Sequence, residues 1–338
     1  MFPPEQLTRQ KSVSILTHKE ATIQITFSKL VDGFRLYNEA ANRSRQTIRW
    51  YNYHLRGFLA WLEINSHSTE LDRITPTIIR EHISALQMPD TRYANHPTHP
   101  KQRHPMSPSN VRGRVTSLSA LFNWAEREEL LTNNPMRKVP KPKVPKMILP
   151  GFSQAEVQSL IKACSELPEA TAIREKALLL FLLDTGVRIS EALNLKMTNL
   201  HLEEGRALVM GKGAKERYVF VGKATKRALW RYISLSRPDP APNVDRVFLT
   251  FQGRPLPYRR ATFELQRLAK KSGIENVHPH RFRRTAAIQF LRNNGSLFAL
   301  QKMLGHETLD MVRRYVELAS DDVEEAHKTA SPVDNWNL

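Results

Sequence analysis

The chain has 338 residues, 41% of them hydrophobic, which is enough for two globular domains and excludes an intrinsically disordered protein. Its 51 lysines and arginines outnumber 33 acidic residues, and this net charge of +18 favours a polyanionic partner such as nucleic acid. A basic protein that is merely kept soluble by charge, or that meets anionic lipid, would show the same balance. The single cysteine, Cys164, excludes an internal disulfide framework, and its amphipathic surroundings predict a buried thiol.

Nothing in the sequence directs the chain into a membrane. Residues 1–11 carry charges but no apolar core of a signal peptide. The longest purely apolar run, Ala177–Leu183, is far shorter than the ~20 residues that a membrane helix needs. We therefore expect a cytoplasmic protein that begins with a flexible leader over residues 1–22.

Helical spacing of apolar residues predicts a helical first domain over residues 23–134. Three candidate N-caps precede these periodic segments, and proline follows the last two: Ser44, Thr75 and Ser107. The segment Met88–Pro105 has no periodicity and predicts a loop. Its histidines are more typical of a solvated Pro/His loop than of a metal site: His96, His99 and His104.

Prolines alternate with basic residues over residues 135–150. Proline at this density prevents helix formation and predicts an extended linker, which marks the domain boundary. The basic side chains form a stripe that suits a DNA phosphate backbone, although a merely solvated linker would have the same composition. We predict DNA contacts by Lys141, Lys143 and Lys146.

The second domain is predicted over residues 151–327, with a tail over 328–338. It begins with the capping box Ser153–Glu156. An apolar helix ends at Gly186 and a short helix starts at Arg188. Three strands are predicted, the first two joined as a hairpin: Ala207–Met210, Arg217–Val221 and Val247–Phe251. Helices follow over Ala261–Lys271, Pro279–Asn293, Leu297–Leu304 and Leu309–Leu318. The fold class is therefore mainly α with a small antiparallel β-sheet in the second domain.

Three residues have the chemistry to bind a phosphate. His280 and Arg283 are three residues apart, so they project from one helical face. A guanidinium donates two parallel hydrogen bonds to a phosphate, and an imidazole supplies another donor. Arg188 lies where a helix begins, and the free N–H groups there also favour an anion. Each of these features taken alone is more typical of a solvated basic surface.

Lys212 lies between two glycines at the tip of the predicted hairpin, where it can reach into a cleft. One helix ends at Gly305 and the next carries Tyr315, so His306 and Tyr315 can face the same site. A turn lysine in water and a core tyrosine are the ordinary alternatives.

Taken in order, these motifs resemble the tyrosine recombinase family, which includes phage integrases, Xer-type resolvases and mobile-element recombinases. The resemblance covers Phe27 to about His327, and the first domain is similar to the family's core-binding domain. The motifs that carry it are Thr185–Glu191, Gly211–Arg217, His280-x-x-Arg283, Leu304-Gly305-His306 and Tyr315.

The resemblance implies cleavage and rejoining of DNA without metal, ATP or any cofactor. Tyr315 would attack a phosphodiester and form a 3′-phosphotyrosyl bond, which keeps the bond energy for rejoining. Lys212 would protonate the leaving 5′-oxygen, and His280 would assist proton transfer at the tyrosine.

The same resemblance gives roles to the remaining polar residues. Arg188, Arg283 and His306 would stabilise charge on the non-bridging oxygens of the phosphate, and Glu191 would orient Arg188. Further DNA contacts are expected from Lys215, Arg217, Arg281 and Arg284.

As partners, the resemblance implies double-stranded DNA with inverted-repeat core sites, clamped between the two domains, and a tetramer on two such sites. Ser320–His327 and the tail to Leu338 would pack on a neighbouring subunit, and accessory proteins would be possible. Many relatives carry histidine where this chain has Arg284, which leaves the subfamily open. The short leader argues against an arm-binding domain and favours a resolvase or transposon recombinase. A type IB topoisomerase, and a DNA-binding factor with an inactive site, are the alternatives.

Overall fold

The computed structural model describes residues 25–88, 105–145, 150–211, 213, 215–306, 308–309, 312–313 and 315–316. The chain divides into two compact units, Met1–Lys146 and Met147–Leu338, and the division falls inside the predicted linker. The predicted leader over 1–22, most of the predicted loop over 88–105 and the C-terminal tail lie outside the described residues, whereas the predicted helix Leu309–Leu318 is described only at 309, 312–313 and 315–316. In the described part of the chain, no helix is long and apolar enough to cross a membrane.

The first unit is helical, as predicted. It contains α1 (Phe27–Ala40), α2 (Arg45–Ile64), α3 (Pro76–Gln87) and α4 (Pro108–Arg127). The three predicted N-caps are confirmed, since Ser44, Thr75 and Ser107 each accept a backbone N–H bond three residues further on. Phe27 is fully buried, with the Phe58 ring edge-on at 5.2 Å and the Phe122 ring at 6.2 Å. The apolar periodicity therefore marked the faces that form the core of this unit.

The second unit surrounds a small sheet with helices. Its elements are α5 (Gln154–Cys164), α6 (Glu169–Thr185), α7 (Ile189–Leu193), β1 (Leu200–His201), β2 (Arg206–Met210), β3 (Glu216–Phe220), α8 (Lys223–Leu235), α9 (Tyr258–Ser272), α10 (Pro279–Arg292) and α11 (Leu297–Leu304). The strands are antiparallel in the order β1-β2-β3, with Ala207 opposite Val219 and Val209 opposite Arg217. The predicted hairpin and the capping box of α5 are confirmed, whereas α8 was not predicted. Cys164 is buried as expected, and burial raises the pKa of its thiol to about 12.

The predicted strand Val247–Phe251 is wrong. Its backbone forms only an isolated bridge to the turn that follows, with Leu249 opposite Pro255, and otherwise bonds to a loop carbonyl and to helical side chains. Val247 N–H donates to Leu195 O at 2.9 Å, and Leu249 N–H donates to Tyr232 Oη at 3.0 Å. Leu249 O accepts from Arg174 Nη1 at 3.1 Å. The third strand of the sheet is β1, whose two residues are too few to show alternation.

Gly186 ends α6 with a left-handed backbone, φ +61°. A Cβ at this position would lie 2.9 Å from Leu304 Cδ2, so a larger residue would push α11 away. The chain therefore turns tightly here, and this turn brings Arg188 towards the end of α11.

His82 in the first unit is buried, and neither of its ring nitrogens has a hydrogen-bond partner among the described residues. Its ring lies 4.9 Å from the rings of both Phe58 and Trp61. Burial, together with the positive charge of Arg114, lowers the pKa of His82 to about 3. The folded unit therefore holds this histidine in its neutral form.

We predict that the first unit loses stability as the pH falls from about 6.5 towards 3, because the unfolded chain binds a proton that folded His82 excludes. The loss attributable to His82 is at most about 1.4 kcal/mol per pH unit. Hydrogen exchange in α2 and α3, followed at pH 7 and pH 5, should show a smaller loss in His82→Phe than in the wild type. Burial also lowers the pKa of His54, to about 4. His54 is present in both proteins, so its contribution to the loss cancels in the comparison. Equal losses in the two proteins would contradict this assignment.

Candidate active site

A buried carboxylate holds two arginines together. Glu191 is only 4% exposed and accepts bonds from Arg188 Nη1 at 2.9 Å and from Arg217 Nη2 at 2.8 Å. The backbone N–H of Arg188 also donates to it, at 2.9 Å. Burial alone would raise the pKa of Glu191, but the hydrogen bonds and charges of the two arginines lower it below its usual value. The group stays ionised, and two cations on one carboxylate leave a net positive charge.

Arg283 is fixed by contacts with two other elements. It is 4% exposed, and its Nη1 donates to Gly186 O at 2.8 Å while its Nη2 donates to Leu304 O at 2.8 Å. These two carbonyls end α6 and α11, where helices leave acceptors without intrahelical donors. A long side chain is thus held in one position before any substrate binds, which favours rapid chemistry.

The same guanidinium sets the tautomer of His306. Arg283 Nη2 lies 2.8 Å from His306 Nε2, and because arginine only donates, Nε2 must accept. The proton of the neutral ring is then on Nδ1, which is buried and has no partner among the described residues. Burial and the nearby charges of Arg283, Arg188 and Arg217 lower the pKa of His306 to about 4. As far as the described residues go, this N–H is a donor without an acceptor and suits an incoming one.

Tyr315 stands beside this cluster. Its ring lies nearly parallel to that of His306, with 6.3 Å between centroids and 18° between planes. The tyrosine is half-buried and packs against the small apolar cluster Ala287, Leu300, Leu304 and Val312. When Tyr315 is ionised, its negative charge favours the charged forms of both Arg283 and Arg284.

His280 is exposed in the first turn of α10. Desolvation by its surroundings, and then the charges of Arg283, Arg188 and Arg284, lower its pKa. The ring is therefore neutral at pH 7 and can accept a proton. Five of the predicted site residues thus lie together in one basic cluster: Arg188, Glu191, Arg283, His306 and Tyr315, with His280 at its edge.

The remaining predicted residues are not all placed. Lys212 and Lys146 lie outside the described residues, whereas Lys141, Lys143 and Lys215 are exposed. Within the described ranges, no group of three or more His, Cys, Asp or Glu side chains has an arrangement that could hold a metal ion.

Two predicted DNA contacts depart from expectation because their guanidinium groups are used inside the protein. Arg217 is 13% exposed and donates to Glu191 and, through Nε, to Met303 O at 2.9 Å. Arg281 lies over the Phe152 ring at 4.1 Å, and its Nη2 donates to Glu156 at 2.7 Å. Sequence reasoning missed these roles because the partners are far away along the chain and no spacing signals them.

The family model described as the phage integrase family matches residues 151–321. The chain belongs to this family of tyrosine recombinases. The tyrosine recombinase XerC of Leptospira interrogans is 28% identical over 293 residues, covering 86% of this chain and 89% of its own. XerD of Chlorobaculum tepidum is 33% identical over 229 residues, covering 66% and 75%. The protein is therefore a tyrosine recombinase, an enzyme of site-specific DNA recombination.

Solved structures of tyrosine recombinases share the fold. The XerH recombinase in a post-cleavage complex with its difH substrate matches with a TM-score of 0.67 at 19% identity, covering 91% of this chain and 85% of that one. The Tn1549 transposon integrase bound to transposon end DNA matches with a TM-score of 0.66 at 19% identity, covering 91% and 100%. The mainly helical fold class with its small sheet is confirmed by these matches and by the elements above.

We predict that Arg217→Gln slows cleavage by about a hundredfold, because Glu191 and Arg188 lose a fixed partner and a small misplacement is that costly. The dependence of DNA affinity on salt should stay unchanged, since the guanidinium donates to Glu191 and to Met303 O inside the protein. Single-turnover cleavage and a salt titration of binding measure the two effects, with the exposed Arg227→Gln of α8 as control. If the variant binds DNA with a logarithmic salt slope lower by about 0.9, Arg217 is a phosphate contact and the structural role is wrong.

Proposed function

We propose that this recombinase cleaves each DNA strand by attack of Tyr315 on a core-site phosphodiester, forming a 3′-phosphotyrosyl bond and a free 5′-hydroxyl. The observation that supports this most strongly is the convergence of Arg188, Arg283 and His306 beside the tyrosine. Cleavage builds negative charge on the non-bridging oxygens, and donors fixed in advance at that position lower the barrier most. The Nδ1–H of His306, which has no partner among the described residues, suits such an oxygen.

The proton transfers use two further residues. Neutral His280 accepts a proton during attack, and its lowered pKa keeps it available at neutral pH. Lys212, from the hairpin between β2 and β3, protonates the leaving 5′-oxygen. Rejoining runs the same steps in reverse, so neither metal nor ATP is needed for the covalent chemistry.

For its biological role we propose recombination at inverted-repeat core sites, either for a mobile element or in Xer-like resolution. The Xer relatives support Xer-like resolution, and the fold shared with a transposon integrase is compatible with a role in a mobile element. We propose a tetramer on two sites, in which the C-terminal stretch 320–338 packs on a neighbouring subunit. A lambda integrase tetramer bound to a Holliday junction shares this fold, with a TM-score of 0.67.

A trapping assay tests the chemistry. The protein is incubated in EDTA with DNA from the flanks of its own gene, nicked near each candidate cleavage position so that the short cleaved fragment diffuses away. We expect a denaturation-resistant protein–DNA adduct that disappears in Tyr315→Phe, because the phenol oxygen forms the bond. Tyr258→Phe, a control on the exposed N-terminal turn of α9, should form the adduct normally. Specific binding without an adduct would favour an inactive DNA-binding factor, and relaxation of plasmids without a site would favour a topoisomerase.

The linker is tested separately. Replacing Lys141, Lys143 and Lys146 by alanine should lower the logarithmic salt slope of DNA binding by about 0.9 for each phosphate that a lysine had neutralised. Lys141 and Lys143 are exposed, as binding to phosphates requires. The control Pro140→Ala/Pro142→Ala changes the stiffness of the linker without changing its charge. An unchanged slope in the lysine variant would show that the linker does not follow phosphates.

A further inference from the structure

Arg284 has no role in the site described so far. It follows Arg283 in α10 and lies four residues after His280, so it projects from the same helical face as His280, one turn further on. The side chain is half-buried. It was expected only to contact DNA, at a position where many relatives carry a histidine.

Its hydrogen bonding differs from that of its neighbours. Arg281 and Arg283 each donate to acceptors in other parts of the second unit. Nη1 of Arg284 is buried and has no partner among the described residues. A buried donor on a charged group is costly to leave unpaired, and such groups often belong to functional sites. The arrangement therefore suits an acceptor that appears only during the reaction.

The charges around Arg284 identify this acceptor. Burial lowers the pKa of Arg284, and the positive charge of Arg281 lowers it further, but an ionised Tyr315 acts in the opposite direction. Tyr315 is the one group among those acting on Arg284 that favours its charged form. Tyr315 also packs against the cluster that contains Ala287, which lies three residues after Arg284 on the same face of α10. The guanidinium and the phenol are therefore neighbours, and their charges can stabilise each other.

The tyrosine needs such a partner. Attack on phosphorus requires the oxygen to lose its proton, and the ring packs in an apolar cluster where an unpaired negative charge is costly. The charge of Arg283 also acts on Tyr315, but three of its five N–H groups already donate to Gly186 O, Leu304 O and His306, and its proposed role is at the phosphate oxygens. His306 is neutral at pH 7, because its pKa is lowered to about 4.

We propose that Arg284 is a further catalytic residue, whose guanidinium stabilises the negative charge on the Tyr315 oxygen as it attacks and again as it leaves during rejoining. This inference rests on the proposed role of Tyr315 as nucleophile. In cleavage, the phenolic proton passes to His280, the O–P bond forms, the bond from phosphorus to the 5′-oxygen breaks, and that oxygen takes a proton from Lys212. Arg284 keeps its own protons throughout and acts by its charge and by the hydrogen bond that it donates.

The test follows single-turnover cleavage of the nicked substrate by Arg284→Gln between pH 7 and 9.5. We expect a loss of about thirtyfold at pH 7 that shrinks to a few-fold at pH 9.5, because the more abundant hydroxide then helps to remove the phenolic proton that the missing cation no longer helps to release. Among the described residues, the charged groups on which the charge of Tyr315 acts are Arg283 and Arg284 from α10, and the titratable ring beside it is His306 from the turn after α11. Neither His306 nor His280, both with lowered pKa, titrates in this range.

A second substrate separates a defect in the attack by the tyrosine from a defect in the departure of the 5′-oxygen. With sulfur in place of the bridging 5′-oxygen, the leaving group needs no proton, so cleavage by Lys212→Ala should recover. Cleavage by Arg284→Gln should not recover, because its defect lies in the nucleophile. Arg292→Gln, an exposed arginine on the same helix, is the matched control and should cleave like the wild type.

Three results would overturn the proposal: unchanged cleavage, a loss of equal size at every pH, or a reduced salt slope of DNA binding, which would make Arg284 a phosphate contact. If Arg284→Gln melts below the assay temperature, the cleavage rate of Arg284→Lys tests the proposal instead. A folded lysine variant that cleaves within about tenfold of the wild type supports the role, since it keeps a cation, and one that does not cleave contradicts it. An adduct that depends on Tyr315 in the wild-type protein establishes the proposed function whatever the Arg284 variants do.

Discussion

The carboxylate of Glu191 lies almost entirely out of water and accepts hydrogen bonds from Arg188 and Arg217. A buried carboxylate without partners would cost several kcal/mol, so the fold of the second unit requires that both arginines reach it. Arg188 precedes α7 and Arg217 lies on β3, and Arg217 also donates to Met303 O near the end of α11. One ionised group thereby joins a helix start, a strand and a helix end, and the position of each depends on the others.

The same interaction explains why the site is positively charged before DNA arrives. One negative charge is shared by two arginines, and Arg283 is held nearby by carbonyl oxygens, which are neutral. Burial, and then the excess positive charge, lowers the pKa of both His280 and His306. Like charges in a partly buried site repel, and a bound phosphate would relieve this repulsion. The arrangement costs stability in the free protein and favours an anion with a developing negative charge, as electrostatic catalysis requires.

Two helix ends supply the geometry. Gly186 and Gly305 both have left-handed backbones, and each is in close contact with a part of the site. A Cβ at Gly186 would lie 2.9 Å from Leu304 Cδ2, and one at Gly305 would lie 3.1 Å from Arg217 Cδ. The carbonyl groups of Gly186 and Leu304 then point at Arg283 instead of at water. The glycines thus serve the active site through the close approach of α6, α11 and β3.

Most of the helical fold and the membership of the candidate site could be predicted from the sequence. Local signals at Ser44, Thr75 and Ser153 are enough to start helices, because capping depends on residues only a few positions apart. The order of Arg188, His280, Arg283, His306 and Tyr315 was sufficient to suggest a phosphate-binding site. Tertiary structure alone decided that Arg217 supports Glu191 and that Arg281 packs on Phe152, since a basic side chain is equally suited to DNA or to a buried carboxylate. It also decided that Val247–Phe251 is not a strand of the sheet, because its backbone finds partners in Tyr232, in Arg174 and in the turn that follows it instead of in a neighbouring strand. The residue types and their local spacing determine which chemistry is available, and only the packing of distant elements determines which of these groups remain free to perform it.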